Sequence, residues 1–311
     1  VIAVTVAICT WNRAALLDRT LTRLLDLRVP AGLTWEVVVV DNNSADGTPA
    51  VLARHAGRLP LVPLTESKQG HSHARNRAVA AARGALILWT DDDVRVDPEW
   101  LARMTAAAGA HPEAEFFGGP IRPWFESPPP AWLKDNLDVL GFCFALIDHG
   151  PGTHVLAPGE YGYGTNVGFR KAVMDRYPFD PALGRVGSKL SGGDDTRVQD
   201  QVVAAGGHGL WVGDAAVEHF LPAARMTVAY VREIFFWAGY HGFAPFAADA
   251  SPRLFGAPRW VWQKYLVASV RRRLGGRRQD RAWVQALRDE AKFAGLIRRF
   301  REGPRARGGR G

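Results

Sequence analysis

Residues 85–93 read Ala85-Leu86-Ile87-Leu88-Trp89-Thr90-Asp91-Asp92-Asp93. The run ALILWT has no polar alternation, which predicts a strand buried on both faces. Three carboxylates follow at once. At the end of a buried strand they are costly without a counter-charge. The natural counter-charge is a hard divalent cation, Mn2+ or Mg2+, which prefers oxygen ligands. The plainer alternative is a solvated acidic turn or a helix start, since Asp97 and Glu99 follow. An aspartyl-nucleophile motif of the form DxDx[TV] fails, because Arg95 stands at its last position.

The same pattern extends toward the N-terminus. Residues 1–9 are β-branched and small apolar residues, and the run ends at Thr10-Trp11-Asn12-Arg13. A second buried run, EVVVV at 36–40, ends at Asp41-Asn42-Asn43-Ser44. A short strand is expected at 61–64. Helical spacing lies between these strands, over 14–27, 49–55 and 72–83, and again at 98–109. Alternation at this spacing predicts βαβ units and a right-handed, mostly parallel, doubly wound sheet. Thr10, Asp41 and Asp91 then stand at the carboxyl ends of three strands, where open α/β sheets bind ligands.

Beyond Phe116 the segments shorten and fill with Gly, Pro and aromatics. A strand is expected over 167–170, a helix over 196–205, and a strand with a polar end over 211–219. From Val228 the chain reads as helical. Three parts result: 1–115, 116–225 and a helical appendage over 226–311. Two cysteines, Cys9 and Cys143, cannot form a disulfide framework, which fits a reducing compartment. No signal peptide or long apolar run is visible; the most apolar stretch, 234–248, contains His241 and is a poor membrane span.

The net charge of +8 is unevenly placed. Residues 271–311 carry +10 and residues 1–270 carry −2. The basic tail therefore expects an anionic partner. No nucleic-acid recognition motif accompanies it, so nucleic acid is not the expected one. Nor does a glycine follow the first strand, which excludes a dinucleotide fingerprint, and no phosphate-binding P-loop is present.

Read together, the motifs resemble a known family. Thr10-Trp11-Asn12-Arg13, then Val38 to Asp41 with Asn42-Asn43-Ser44 and Asp46-Gly47-Thr48, then Gly70-x-Ser72-x-Ala74-Arg75-Asn76, then Asp91-Asp92-Asp93 occur in order. Gly164-Thr165-Asn166-Val167-Gly168-Phe169-Arg170, Gly193-Asp194-Asp195 and His219 with Arg225 continue the series. The chain is similar to the family 2 glycosyltransferases of the GT-A fold, over about residues 2–245.

That resemblance implies a nucleotide-diphosphate sugar, a UDP-sugar as expected donor, lying across the strand ends. Asp41 would bond the base, Thr10 and Arg13 would flank the same pocket, and Asp91 would meet the ribose. Asp92 and Asp93 would face a Mn2+ or Mg2+ ion in the DXD manner, with His219 as third ligand. Arg75 and Lys68 are nearby cations. Asp195 matches the second acid of the family motif and is the expected base of an inverting transfer. Asp194 stands where the family usually has Glu. In isolation, Asp195 also reads as an ordinary helix cap. Trp124, Trp132, Tyr161, Tyr163 and Asn166 are candidate acceptor contacts, although aromatics of this kind more often pack. His71 and His73 read as local hydrogen-bonding groups.

The expected reaction is hexosyl or N-acetylhexosaminyl transfer to a saccharide or lipid-linked acceptor of a bacterial envelope or exopolysaccharide. Trp260, Trp262, Tyr265, Leu266, Val270 and Leu274 among Lys264 and Arg271–Arg273, with a second stripe from Trp283 to Ile297, suggest basic amphipathic helices on an anionic membrane surface. The expected location is cytoplasmic, peripheral on the inner face of the plasma membrane. The alternatives are a sugar nucleotidyltransferase, which lacks its Gly-rich phosphate loop here, and a non-catalytic sugar- or membrane-binding relative, from which Asp93 and Asp195 would be missing.

Overall fold

The computed structural model describes residues 2–184, 193–242, 246, 249–276 and 278–302. Several residues singled out in the sequence lie outside them: Val1, Ser191, Gly192, Arg277, residues 243–245, 247 and 248 of the apolar stretch, and residues 303–311 of the basic tail.

The chain forms two compact units. The first holds Val1–Trp124 and Ala145–Phe220, and the second holds Phe125–Phe144 and Leu221–Gly311. In the first unit, strands β1 (Val4–Thr10), β2 (Trp35–Asp41), β3 (Leu61–Thr65) and β4 (Leu86–Trp89) alternate with helices α1 (Ala14–Leu24), α2 (Thr48–His55) and α3 (His71–Ala81). β5 (Val94–Val96), α4 (Trp100–Ala110), β6 (Phe116–Gly118) and β7 (Ile121–Phe125) follow.

β1 pairs in parallel with β2 and β4, and β2 with β3. The βαβ alternation read from the sequence thus builds the parallel half of the sheet. The runs VTVAICT, WEVVVVD and LILW lack polar alternation because both sheet faces are covered. Val6, Ile8, Val37, Val39 and Leu88 pack on one face with Leu17 and Leu21 of α1 and Trp100 of α4. Ala7, Val38, Val40, Ile87 and Trp89 pack on the other with Ala74 and Ala78 of α3.

The second half was less visible in the sequence. Two short helices, α5 (Ala131–Lys134) and α6 (Leu137–Leu140), precede β8 (Thr153–Val155) and β9 (Val167–Arg170). α7 (Lys171–Arg176), α8 (Asp194–Ala204), β10 (Gly209–Val212) and β11 (Val217–Leu221) come next. The large sheet has the order β3-β2-β1-β4-β9-β6-β10-β8. β9 is antiparallel to both neighbours and β8 is antiparallel to β10, so the sheet is mixed but mostly parallel. The single strand expected over 211–219 is two strands in different sheets: β10 ends at Val212, and β11 joins β5 and β7 in a three-stranded sheet.

The second unit carries α9 (Val228–His241), α10 (Arg259–Leu274) and α11 (Arg281–Glu302). α9 and α11 meet through glycines. A Cβ on Gly239 would strike the Lys292 carbonyl, and one on Gly295 would strike the Phe236 carbonyl. Among the described residues no helix is long and apolar enough to cross a membrane.

Candidate active site

The carboxyl ends of β1, β2 and β4 lie side by side, because β1 pairs with both others. The turns beyond them are tied together. Asn42 donates its backbone N–H to the Thr10 carbonyl at 2.9 Å. Asn12 donates its N–H to Ser44 Oγ at 2.9 Å, and its own side chain accepts from Ala45 at 2.7 Å. Asp41 accepts the Ser44 N–H through Oδ1 at 2.9 Å. The buried Asn42 amide donates to the carbonyls of Glu66 and Lys68 and accepts from Gly70, fixing the approach to α3. Lys68 is exposed.

The three acids after β4 are treated differently by their surroundings. Asp91 Oδ2 accepts the Thr165 hydroxyl at 2.6 Å. Asp92 accepts from Thr10 Oγ1 at 2.7 Å and from Arg13 Nη1 at 3.0 Å. The same Arg13 nitrogen lies 2.8 Å from Asp93 Oδ2. Burial pushes the Asp92 carboxyl up to about 7, with Arg13 opposing and Asp93 adding to the rise. Burial works against the Arg13 charge, but Asp92 and Asp93 outweigh it and hold the guanidinium protonated.

β11 brings His219 to this cluster. His219 is in register with Val94 of β5, and the Phe220 N–H donates to the Asp93 carbonyl at 2.9 Å. His219 Nε2 then lies 3.5 Å from Asp93 Oδ1. Arg225 lies in the second unit, 6.0 Å from the Tyr230 ring. Among the described residues no group of three or more His, Cys, Asp or Glu side chains is placed to hold a metal ion by itself. Asp93 and His219 are nevertheless suitable adjacent donors for a divalent ion that takes its remaining oxygens from phosphates, the usual habit of Mg2+.

A second acidic pair opens α8, where Gly193 (φ 92°) precedes Asp194 and Asp195 in the first turn. Carboxylates there are favoured by the helix dipole. Gly193 is the N-cap residue, so the cap expected at Asp195 is displaced by two positions. Asp194 Oδ2 receives Arg75 Nη1 at 3.0 Å and Ser72 Oγ at 3.3 Å, with His71 Nδ1 at 4.0 Å. Burial opposes its ionisation, yet Arg75 and His71, with the hydrogen bonds, hold it below the usual carboxylate range. Asp195 goes the other way: burial pushes it up, Arg75 opposes and the Asp194 charge adds. Its Oδ2 accepts the Gly164 N–H at 2.5 Å, and Oδ1 accepts the Thr196 N–H at 2.9 Å.

Arg75 is buried against two rings, 5.6 Å from the centroid of Trp89 and 5.1 Å from that of Phe179. Cys9 is nearby, and burial raises its thiol far above the reactive range. Gly164 and Thr165 are consecutive and hold one acid group each, Asp195 and Asp91. That short segment joins the two acidic clusters. The sequence shows Thr165 within the Gly164–Arg170 motif but not its bond to Asp91, since a hydroxyl carries no periodicity.

The acceptor candidates separate. Asn166 is fully buried: it accepts from Trp100 Nε1 at 2.8 Å and donates to the carbonyls of Pro120 and Ala215. Its amide is spent inside the fold, which favours a packing role over an acceptor contact. Trp124 is covered by the Arg95 guanidinium, 3.4 Å from the ring centroid, and packs edge-on against Phe220. Tyr161 donates to Asp200 at 2.8 Å. Tyr163 is half-buried, its hydroxyl pKa raised by burial and by Asp195. Trp132 is buried in the second unit, edge-on to Trp283.

Comparison with known proteins bears on the family and the fold. The family model for glycosyl transferase family 2 matches residues 5–174. The succinoglycan biosynthesis protein ExoM of Rhizobium meliloti (strain 1021) is 28% identical over 247 residues, covering 76% of this chain and 73% of ExoM. ExoO of the same organism is 39% identical over 108 residues, 34% of this chain and 30% of ExoO. Validoxylamine A glucosyltransferase of Streptomyces hygroscopicus subsp. jinggangensis (strain 5008) is 35% identical over 116 residues, 36% of this chain and 27% of its own length. Among solved structures, the mannosyltransferase PcManGT of Pyrobaculum calidifontis, in complex with GDP-Man and Mn2+, superposes with a TM-score of 0.65 at 20% identity, covering 95% of this chain and 86% of that one. S. aureus TarS 1–349, in complex with UDP-GlcNAc, gives 0.53 at 15% identity, covering 93% and 90%. At these identities the likeness establishes the fold, which is GT-A.

Proposed function

The chain belongs to glycosyl transferase family 2, and from that premise we propose that it is a metal-dependent, inverting enzyme of bacterial envelope or exopolysaccharide synthesis. The donor is a UDP-sugar, carrying a hexosyl or N-acetylhexosaminyl group. The acceptor is a saccharide or a lipid-linked saccharide. The observation that carries this reading is the pair of acidic clusters joined through Gly164 and Thr165. One cluster suits a nucleotide diphosphate and the other suits an attacking hydroxyl.

In this reading Asp41 contacts the base and Asp91 the ribose, with Thr10 and Arg13 beside them. Arg13, already between Asp92 and Asp93, adds positive charge next to the diphosphate. Asp93 and His219 would hold the divalent ion, with Asp92 beside them against Thr10 and Arg13, and when bound it would neutralise charge growing on the leaving diphosphate. Asp195 takes the proton from the acceptor hydroxyl as its oxygen bonds the anomeric carbon. The bond from that carbon to the diphosphate oxygen breaks on the opposite face. Asp194 stays ionised against Arg75 and keeps the pair from titrating alike.

The GDP-Man complex of PcManGT supports GDP-mannose as a second donor reading. The exopolysaccharide assignment is supported by the likeness to ExoM. An anionic membrane face, with the protein peripheral on its cytoplasmic side, is the proposed setting for a lipid-linked acceptor. The test is nucleoside diphosphate release from UDP-glucose, UDP-galactose, UDP-GlcNAc and GDP-mannose with Mn2+, each with Asp195→Asn as control. Release confined to GDP-mannose would sink the UDP reading, and no difference between wild type and Asp195→Asn would sink the base assignment.

A further inference from the structure

The two long C-terminal helices use their apolar residues differently. α11 turns Trp283, Leu287, Leu296, Ile297 and Phe300 inward, all buried. In α10 only part of the apolar set goes inward, notably Val261 and Ala268. Leu266, Val267, Val270 and Leu274 remain 56%, 44%, 53% and 82% exposed. Positions 266, 267, 270 and 274 share one face, within an arc of roughly 100°. α10 therefore carries apolar residues on two faces, and packing explains only one of them.

The charges around the second face have one sign. α10 contains Arg259, Lys264, Arg271, Arg272 and Arg273 and no acid. Arg272 is engaged by Glu290 of α11, and Lys264 lies over the Trp260 and Phe293 rings. Arg259, Arg271 and Arg273 are exposed.

A small hairpin extends the same surface. β12 (Arg253–Leu254) and β13 (Ala257–Pro258) are joined by Phe255-Gly256, with φ of 47° and 83°. Two positive φ values in a two-residue loop make a turn that favours Asn and Gly. Phe255 occupies it nonetheless and is 76% exposed, so the turn holds an aromatic ring outward at a cost in backbone strain. Trp262 of α10 donates Nε1 to the Leu254 carbonyl at 2.7 Å and meets Phe255 edge-on at 6.3 Å. Hairpin tip and helix face are thereby coupled.

We propose that this surface docks on an anionic lipid bilayer, with α10 lying in the interface plane and Phe255 entering among the headgroups. Contiguous exposed apolar area of this kind marks an interaction site. A basic rim around it selects an anionic interface. A second copy of the chain is the poorer occupant, since it would set the arginines of one copy against those of the other. The inference rests on the membrane-face reading of the partner, and vesicle binding reads it separately from sugar transfer.

The test is co-sedimentation of the full chain with phosphatidylcholine vesicles, with and without phosphatidylglycerol. The wild-type chain sediments with the anionic vesicles only. Leu266→Glu with Leu274→Glu, and separately Arg271→Glu with Arg273→Glu, each weaken binding roughly tenfold or more. Circular dichroism and nucleotide release stay at wild-type levels, because these positions are exposed and outside the proposed site. Absence of sedimentation overturns the proposal, as does unchanged binding by the leucine pair. Light scattering that shows a dimer broken by Leu266→Glu with Leu274→Glu assigns the face to a second copy and also overturns it. Sugar transfer without vesicle binding overturns this surface and leaves the transferase reading standing.

Discussion

Arg75 donates Nη1 to Asp194 Oδ2 at 3.0 Å, and both side chains are buried. The pair sets two adjacent carboxyls apart. Burial resists ionisation of Asp194, but Arg75 and His71 win and its pKa is lowered. At Asp195 burial prevails over Arg75, and the Asp194 charge raises the pKa further. Two acids with divergent pKa values are how one site separates a fixed charge from a proton acceptor.

The first prediction concerns the acid limb of kcat/KM. Asp195 must be ionised to accept a proton, so the rate falls as pH drops through its raised pKa. Asp194→Asn removes a like charge, which moves that limb to lower pH. Arg75→Met removes an opposite charge and moves it to higher pH. Asp195→Asn lowers kcat by about 10²–10⁴-fold at all pH values. A limb that stays in place in both Asp194→Asn and Arg75→Met assigns it to another group.

Stability should follow the same pair. A lowered native pKa means that Asp194 contributes stability above its unfolded value, lost as pH falls through the folded one. Arg75→Met leaves the Asp194 carboxylate buried without its main counter-charge, at a cost of about 3–5 kcal/mol. Urea unfolding near neutral pH measures that cost, and the gap between variant and wild type narrows in acid. A gap that does not change with pH assigns the loss to packing against Trp89 and Phe179 instead.

Gly164→Ala tests the joint between the clusters. The added Cβ would run into the Arg75 guanidinium and lie 3.1 Å from Asp195 Oδ2. The expected loss is about 1–3 kcal/mol of stability together with a fall in kcat. Unchanged unfolding and unchanged kcat would show that Arg75 can move aside at no cost.

Much of the first sheet half was legible because its physics is local. Continuous apolar runs ending in Thr10, Asp41 and Asp91 mark parallel strands covered on both faces. The second half depends on pairing between distant segments. Val167 of β9 lies opposite both Trp89 and Gly118, and nothing in its own sequence announces two antiparallel partners. The split of 211–219 was hidden in the same way: Gly213 packs so closely on Gly150 and Gly152 that a Cβ would collide with their backbone. Acidic motifs were easy to read because carboxylates are conspicuous. Their partners were less so: Gly164 and Thr165 stand in a motif visible in the sequence, but the acids they hold are set by tertiary position. The aromatic candidates are ambiguous in sequence because a ring's chemistry fits packing as well as sugar stacking, as Trp124 under Arg95 and Trp132 against Trp283 illustrate.

Asn166 separates a structural from a functional role. Asn166→Ala leaves Trp100 Nε1 and the Ala215 carbonyl without this partner, while the Pro120 carbonyl keeps the Val217 N–H at 2.9 Å. Each buried group so orphaned costs about 1–3 kcal/mol. A lower melting temperature with an unchanged acceptor KM is the expected result. An unchanged melting temperature with a raised acceptor KM would return Asn166 to the acceptor site.

The last prediction concerns the metal. Arg13 Nη1 already neutralises Asp92 and Asp93 in part, while Asp93 Oδ1 lies 3.5 Å from His219 Nε2. A divalent ion brought by the donor would share Asp93 and His219 and add charge that Arg13 alone does not supply. Chelation with EDTA should therefore abolish turnover, and Mn2+ should restore it. His219→Ala should raise the Mn2+ concentration for half-maximal rate by roughly tenfold or more. Asp93→Ala should remove the Mn2+ response altogether. If EDTA leaves turnover intact, the diphosphate is neutralised by Arg13 and its neighbours, and Arg13→Met becomes the variant that stops the reaction.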